Sequence, residues 1–177
     1  MMGSRSGGFT LIEVLVSAAL LTVAALGIAQ LTMLAARTTE AARRRTATTL
    51  LAAQKMEQLR SLAWARDPGG GLLSDTTTDL SRDPPSSSGH GLSISSSGTL
   101  ERNVDGYADY LDASGRWIGG GPSPPAGTLY VRRWAVWPLA ADPQHSRVLV
   151  VFVTKSGPQW VSSTTLVSVK TRQAVVP

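Results

Sequence analysis

One carboxylate stands in a stretch of sequence that is otherwise wholly apolar or uncharged. Residues 9–36 read FTLIEVLVSAALLTVAALGIAQLTMLAA, and Glu13 is their only ionisable side chain. Such a carboxylate has two uses. It can reach back to a free N–H in the first turn of its own helix, and Thr10-Leu11-Ile12-Glu13 has the spacing of a capping box. It can also pair with a cation from outside the helix, because a charge inside an apolar layer is costly unless paired. Immediately upstream lies Gly7-Gly8. Two glycines leave an unhindered, extended backbone there.

Three other groupings have residue types that do chemistry elsewhere. Asp105, Asp109 and Asp112 lie in a glycine-containing stretch ending at Gly115. Their spacing is not that of an EF-hand calcium loop, so an ordinary turn with Asx-type bonds is expected and no metal site. His90 sits among the serines at 86–88 and 95–97, but no G-x-S-x-G elbow is present and nothing sets a base beside a nucleophile. No catalytic residue is expected, and the chain is read as a non-enzyme. Arg132-Arg133 beside Trp134 and Trp137 is a basic and aromatic grouping of the sort that contacts nucleic acid. Alternation of an exposed and a buried sheet face explains it more simply.

The whole chain bounds these readings. It has 177 residues, 17 Lys+Arg against 12 Asp+Glu, and a net charge of +5. That length suits one ordinary core. The absence of cysteine excludes disulfides, Cys-ligated metals and thiol nucleophiles, and two histidines exclude a His-rich metal site. No cofactor and no small-molecule substrate are expected.

The elements follow from the pattern. Twenty-eight residues, 9–36, span about 42 Å as a helix, more than the ~30 Å core of a bilayer. The run is too long for the apolar region of a cleaved secretory signal, and no A-x-A site closes it. Residues 37–64 continue without proline or glycine in good helix formers. Ala52, Met56, Leu59 and Ala63 make one stripe there, with Leu51 and Leu62 at its margin, while Gln54, Glu57, Arg60 and Ser61 face away. One helix to about residue 64 is expected, stopped by Asp67-Pro68-Gly69-Gly70-Gly71. Residues 67–127 are rich in Gly, Pro and Ser and carry eight carboxylates against three arginines. They read as loops with short strands at 91–96 and 107–118. From 128, three β-rich runs follow: TLYVRRWAVWPL, SRVLVVFVTK and VSSTTLVSVKTR. Short links, including Lys155-Ser156-Gly157-Pro158, predict antiparallel neighbours. Val148–Val153 is apolar throughout and reads as a central strand with both faces covered.

The opening, MMGSRSGG followed by FTLIEVLV, resembles the class III signal of type IV pilins and pseudopilins: a short leader ending in Gly8, an aromatic Phe9, and Glu13 five residues in. The likeness covers roughly residues 7–36, and a long helix followed by a sheet extends it over the chain. It implies cleavage between Gly8 and Phe9 by a prepilin peptidase and N-methylation of Phe9. It also implies subunit assembly through Glu13, which meets the N-terminal amine of a neighbouring subunit. Gly27 and the segment LLAAQKMEQLRSLAW look like minor pilins of the PilV type and like I-type minor pseudopilins of type II secretion. The chain departs from many major pilins in having no cysteine, and it lacks the proline often found in the family's membrane span.

The expected fold is α+β: a long N-terminal helix, its first half in the membrane, packed on a C-terminal antiparallel sheet of three to five strands. The expected divisions are a leader (1–8), a transmembrane helix (9–36), its amphipathic continuation (37–66), loops (67–127) and the sheet (128–177). The expected function is a minor pilin-like subunit in fibre initiation or modification. The alternatives are a type II secretion pseudopilin and, more distantly, a membrane-anchored binding module. Expected partners are other pilin or pseudopilin subunits, the prepilin peptidase, the inner membrane and assembly platform proteins; nucleic acid is not among them. Arg5 before the span against Arg37, Arg43, Arg44 and Arg45 after it would, by charge alone, leave the C-terminal side in the cytoplasm. The signal's resemblance implies the reverse, a periplasmic C-terminal domain that passes into a pilus or pseudopilus.

Overall fold

A computed structural model describes residues 10–66, 69, 71–156 and 163–172. Residues up to Arg43 and residues from Arg44 onwards form two compact units. A single helix, α1 (Leu11–Ser61, 51 residues), supplies the regular structure of the first and opens the second. Gly27 is its one glycine and it has no proline, so no strong breaker interrupts it.

In the first unit every described side chain is exposed. Thirteen large apolar residues between Leu11 and Leu34 lie open, from Val16 at 53% to Leu11 at 82%. Three threonine hydroxyls turn back onto helix carbonyls: Thr22 to Ala18, Thr32 to Ile28 and Thr38 to Ala35. Hydroxyls satisfied in this way need no water, which suits a helix surrounded by lipid or by other helices.

In the second unit, α1 buries Thr48, Ala52, Lys55, Met56 and Leu59 against a five-stranded antiparallel sheet. The strands of that sheet are β3 (Ala108–Leu111), β4 (Trp117–Gly120), β5 (Tyr130–Pro138), β6 (Ser146–Lys155) and β7 (Ser163–Thr171), in the order β4-β3-β5-β6-β7. Register pairs Trp134 with Val151 and Val136 with Leu149. With Val153 they meet Ala52, Met56 and Leu59 in one core. Each large aliphatic buried there contributes about 1.5–3 kcal/mol.

The far face of the sheet is also covered over β3 and β5. Ala108, Tyr110 and Ala135 are fully buried. At the edge of β5 beyond β3, Ser95 N–H donates to the Val136 carbonyl at 2.9 Å, and Ser95 Oγ accepts from Val136 N–H at 3.1 Å. Arg133 donates to Asn103 Oδ1 at 2.7 Å and to the Leu100 carbonyl at 3.2 Å. The exposed-and-buried alternation expected around Arg132 and Arg133 is therefore replaced by a strand enclosed on both sides. The segment that encloses it is polar and glycine-rich, so no apolar periodicity announced it.

Other expectations need correction. Residues 91–96 are not a strand; they are loop, tied to β5 through Ser95. Residues 107–118 hold two strands with a turn between, because Asp112 accepts from Ser114 N–H, Ser114 Oγ and Arg116 N–H and closes the chain on itself. β6 is flanked on both sides, but β5 is the middle strand; Val150 is buried while Val148 and Phe152 are only half-buried. The helix ends at Ser61, and Trp64–Arg66 (β1) pairs instead with Leu72–Ser74 (β2). Trp64 is drawn out of the helix because its buried indole N–H donates to the His145 carbonyl at 3.0 Å. Ala63 thus lies beyond the helix and is exposed rather than on the stripe. Asp67, Pro68 and Gly70 of the expected stop, and Gly157 and Pro158 of the expected turn, lie outside the described residues.

A buried charge cluster fixes the helix on the sheet. Asp109 of β3 accepts Arg132 of β5 in a two-pronged pair, at 2.7 and 2.8 Å, and Lys55 of α1 lies 2.7 Å from Oδ2, which it shares with Arg132. Lys55 also donates to the Leu80 carbonyl at 2.7 Å and stands 4.4 Å over the Trp134 ring. Arg132 reaches the helix through Gln54 Oε1 at 3.1 Å. Burial lowers the Lys55 pKa from its usual 10.5 to about 8; Asp109 opposes that shift and Arg132 adds to it. With the folded value below the unfolded one, the unfolded chain binds more protons between pH 8 and 10.5, so stability rises with pH across that window.

A chain beginning at Arg37 is expected to be soluble, with helix and sheet visible by circular dichroism. In it, Asp109→Asn leaves two buried cations without an anion and should cost about 3–5 kcal/mol in denaturant unfolding. Lys55→Met leaves the Asp109–Arg132 pair neutral. It should cost far less and reduce the rise in stability above pH 8.

Candidate functional site

Gly8 and Phe9, where cleavage and methylation are expected, lie outside the described residues. The described part of the site begins at Thr10. Its carbonyl accepts from Glu13 N–H at 3.1 Å and from Val14 N–H at 3.2 Å, opening α1. The Glu13 carboxylate lies 3.5 Å from both the N–H and the hydroxyl of Thr10. The capping box is present in outline, but contacts this long add little. Among the described residues no cation reaches Glu13. Its neighbours Leu11, Ile12, Val14 and Leu15 are uncovered. The geometry is a carboxylate set in an open apolar surface, with most of its acceptor capacity unused. Further along, a side chain added at Gly27 would meet nothing within 4 Å, so a neighbouring helix can approach the backbone closely there.

The other groupings are separated by the fold. Asp109 is committed to Lys55 and Arg132, Asp112 to its own turn, and Asp105 is exposed. His90 stacks on Tyr107 with ring centres 5.1 Å apart, on a polar cleft of about 230 Å³ that Ser88 also lines. Among the described residues its ring makes no hydrogen bond to a serine; only its carbonyl does, accepting from Ser93 N–H at 2.8 Å. Arg132 and Trp134 are buried under the helix, out of reach of a large partner.

Sequence reasoning missed the Lys55–Asp109–Arg132 cluster. One signal was available: Lys55 falls three residues after Ala52 and four before Leu59, on the apolar stripe itself. A cation at that position implies a buried anion, and the sequence leaves open which of the acids in 67–127 supplies it.

Residues 3–29 match the family described as the prokaryotic N-terminal methylation motif. No curated protein and no solved structure matches the chain. The matched segment contains Gly8, Phe9 and Glu13 and runs into a helix long and apolar enough, by length and composition, to cross a membrane. The chain therefore carries a type IV pilin-like prepilin leader ahead of an α+β body built on one long helix.

If Glu13 were needed chiefly as a cap, removing its side-chain acceptor would fray the helix. Given the 3.5 Å contacts, Glu13→Ala is expected to leave the helicity of the detergent-solubilised chain unchanged. Circular dichroism with amide exchange at residues 11–16 checks this.

Proposed function

We propose that the chain is a minor pilin-like subunit that helps to start or modify a type IV pilus fibre. The observation that carries this reading is the methylation motif over residues 3–29, running directly into a helix whose apolar side chains are uncovered. The leader is removed between Gly8 and Phe9 by a prepilin peptidase, and Phe9 is methylated. The apolar helix then leaves the inner membrane for a filament core made of other subunits' helices, so its surroundings remain apolar throughout. Glu13 accepts the N-terminal amine of a neighbouring subunit. A charge-assisted contact of that kind, shielded from water, is directional and fixes register between helices that apolar packing alone leaves free to slide. The body after residue 43 lies on the periplasmic side.

Mass spectrometry of the membrane-extracted protein tests the processing step. A mature chain beginning at methylated Phe9 is expected, and a bulky residue in place of Gly8 should block the cut. An intact Met1 or Met2 start in peptidase-competent cells contradicts the reading. Deleting the gene tests the fibre. Fewer surface fibres with an undiminished pool of major subunit are expected; normal fibre numbers with lost protein secretion would favour a secretion pseudopilin instead.

A further inference from the structure

Beyond the last turn of α1, two guanidinium groups contact one indole, and two more cations meet at the helix end beside them. The Arg147 guanidinium lies 4.3 Å from the centre of the Trp64 ring and that of Arg172 lies 4.2 Å from it. Lys170, paired with Arg147 across β6 and β7, donates to the Arg60 carbonyl at the helix end. Carboxylates are scarce here. Glu57 is engaged by Arg60 at 3.3 Å, and Asp142 by His145 at 2.8 Å. Among the described residues no carboxylate reaches Arg147 or Arg172. Arg147 spends one nitrogen on the carbonyls of Pro143 and Ser146, at 2.6 and 3.2 Å. The Nε atoms of both arginines are buried and without acceptors.

Two guanidinium groups on one ring repel each other, and the protein registers that strain. Arg147 is held below its ordinary pKa by burial and then by Arg172, and Lys170 by burial and then by Arg60. Lys170 has a local role, since a cation at a helix C-terminus satisfies the last carbonyls. Arg172 has no such role; among the described residues its side-chain N–H groups find no acceptor. Stacking on Trp64 pre-orients both forks while leaving donors free, and that is the state in which arginine best receives an oxyanion.

We propose that Arg147 and Arg172, held by Trp64, form a binding site for a phosphate group, with Lys170 and Arg60 adding to the positive potential. A phosphate fits better than a carboxylate. Two guanidinium groups carry more donors than one planar carboxylate edge can accept, and a tetrahedral oxyanion can accept them on several oxygens. Four cations also suit more than one negative charge. Either free phosphate or the phosphodiester of a nucleic-acid strand supplies this chemistry.

Calorimetric titration of the full chain in neutral detergent with inorganic phosphate, against chloride at equal ionic strength, tests the site. Fluorescence anisotropy with single-stranded oligothymidylate tests the second source. Saturable binding of at least one probe is expected. It should weaken about tenfold in Arg172→Gln, the order expected for one lost charge-assisted contact. Arg116→Gln, whose side chain pairs with Asp112, should bind like the wild type. Arg172→Lys, which keeps the charge but not the fork, should fall between, and it reads the site even if Arg172→Gln fails to fold. If only oligothymidylate binds, and loss of Arg172 makes its salt dependence shallower, the source is the strand. Binding of neither probe, equal binding by wild type and both Arg172 variants, or displacement of both probes by oligoglutamate at lower concentration would overturn the proposal.

Discussion

Nothing else in the described chain covers the apolar side chains between Leu11 and Leu34, and water is a poor solvent for that surface. Thirteen large apolar side chains left open in water would cost on the order of 20–40 kcal/mol. A whole domain is stable by only about 5–15 kcal/mol. Folding of the body cannot offset such a surface, so apolar surroundings must, whether lipid or other helices. One apolar helix can serve in either setting. Glu13 is the exception within this surface, and a carboxylate near the middle of a bilayer costs about 2.5–3.5 kcal/mol on insertion scales. The apolar helix tolerates that cost easily. The weak contacts to Thr10 offset little of it, and a partner's cation, as proposed above, would offset more.

The same helix has to meet a sheet after residue 43, and there its requirements change. Small and apolar residues at 52, 56 and 59 give a smooth stripe that packs well but fixes position only loosely. The Lys55–Asp109–Arg132 cluster adds direction. It joins α1, β3 and β5 through bonds near 2.7 Å and admits one rotation of the helix about its axis. Desolvation makes such a cluster a doubtful source of net stability, and its value lies in specifying one arrangement. The depressed Lys55 pKa is the signature of that cost.

Much of this was legible before any coordinates. The leader, the apolar run, Glu13 and the three long strands are strong local signals that need no tertiary information. What was missed depends on contacts distant in sequence. Trp64 reads as helix by its neighbours, yet the His145 carbonyl, 81 residues away, draws it into β1. The far face of β5 reads as half exposed, yet Asn103 and the Leu100 carbonyl meet Arg133 there with polar atoms that leave no periodic trace. Asp109 looks like one of three loop carboxylates until the fold brings Lys55 and Arg132 to it. Of the residues expected to act in processing and assembly, Glu13 is seen in an open apolar surface, while Gly8 and Phe9 lie within the matched motif and outside the described residues.

Assembly through Glu13 is the claim on which the functional reading turns, and it separates a subunit from a mere anchor. The decisive measurement is the amount of Glu13→Ala chain in sheared fibres relative to the amount processed and inserted in the membrane. A simple anchor gains from losing the charge and would show no defect. A subunit that uses the carboxylate to receive its neighbour's amine should be cleaved and inserted normally but enter fibres about tenfold less, or worse. Wild-type incorporation of Glu13→Ala would contradict the pairing and leave Glu13 as a helix cap.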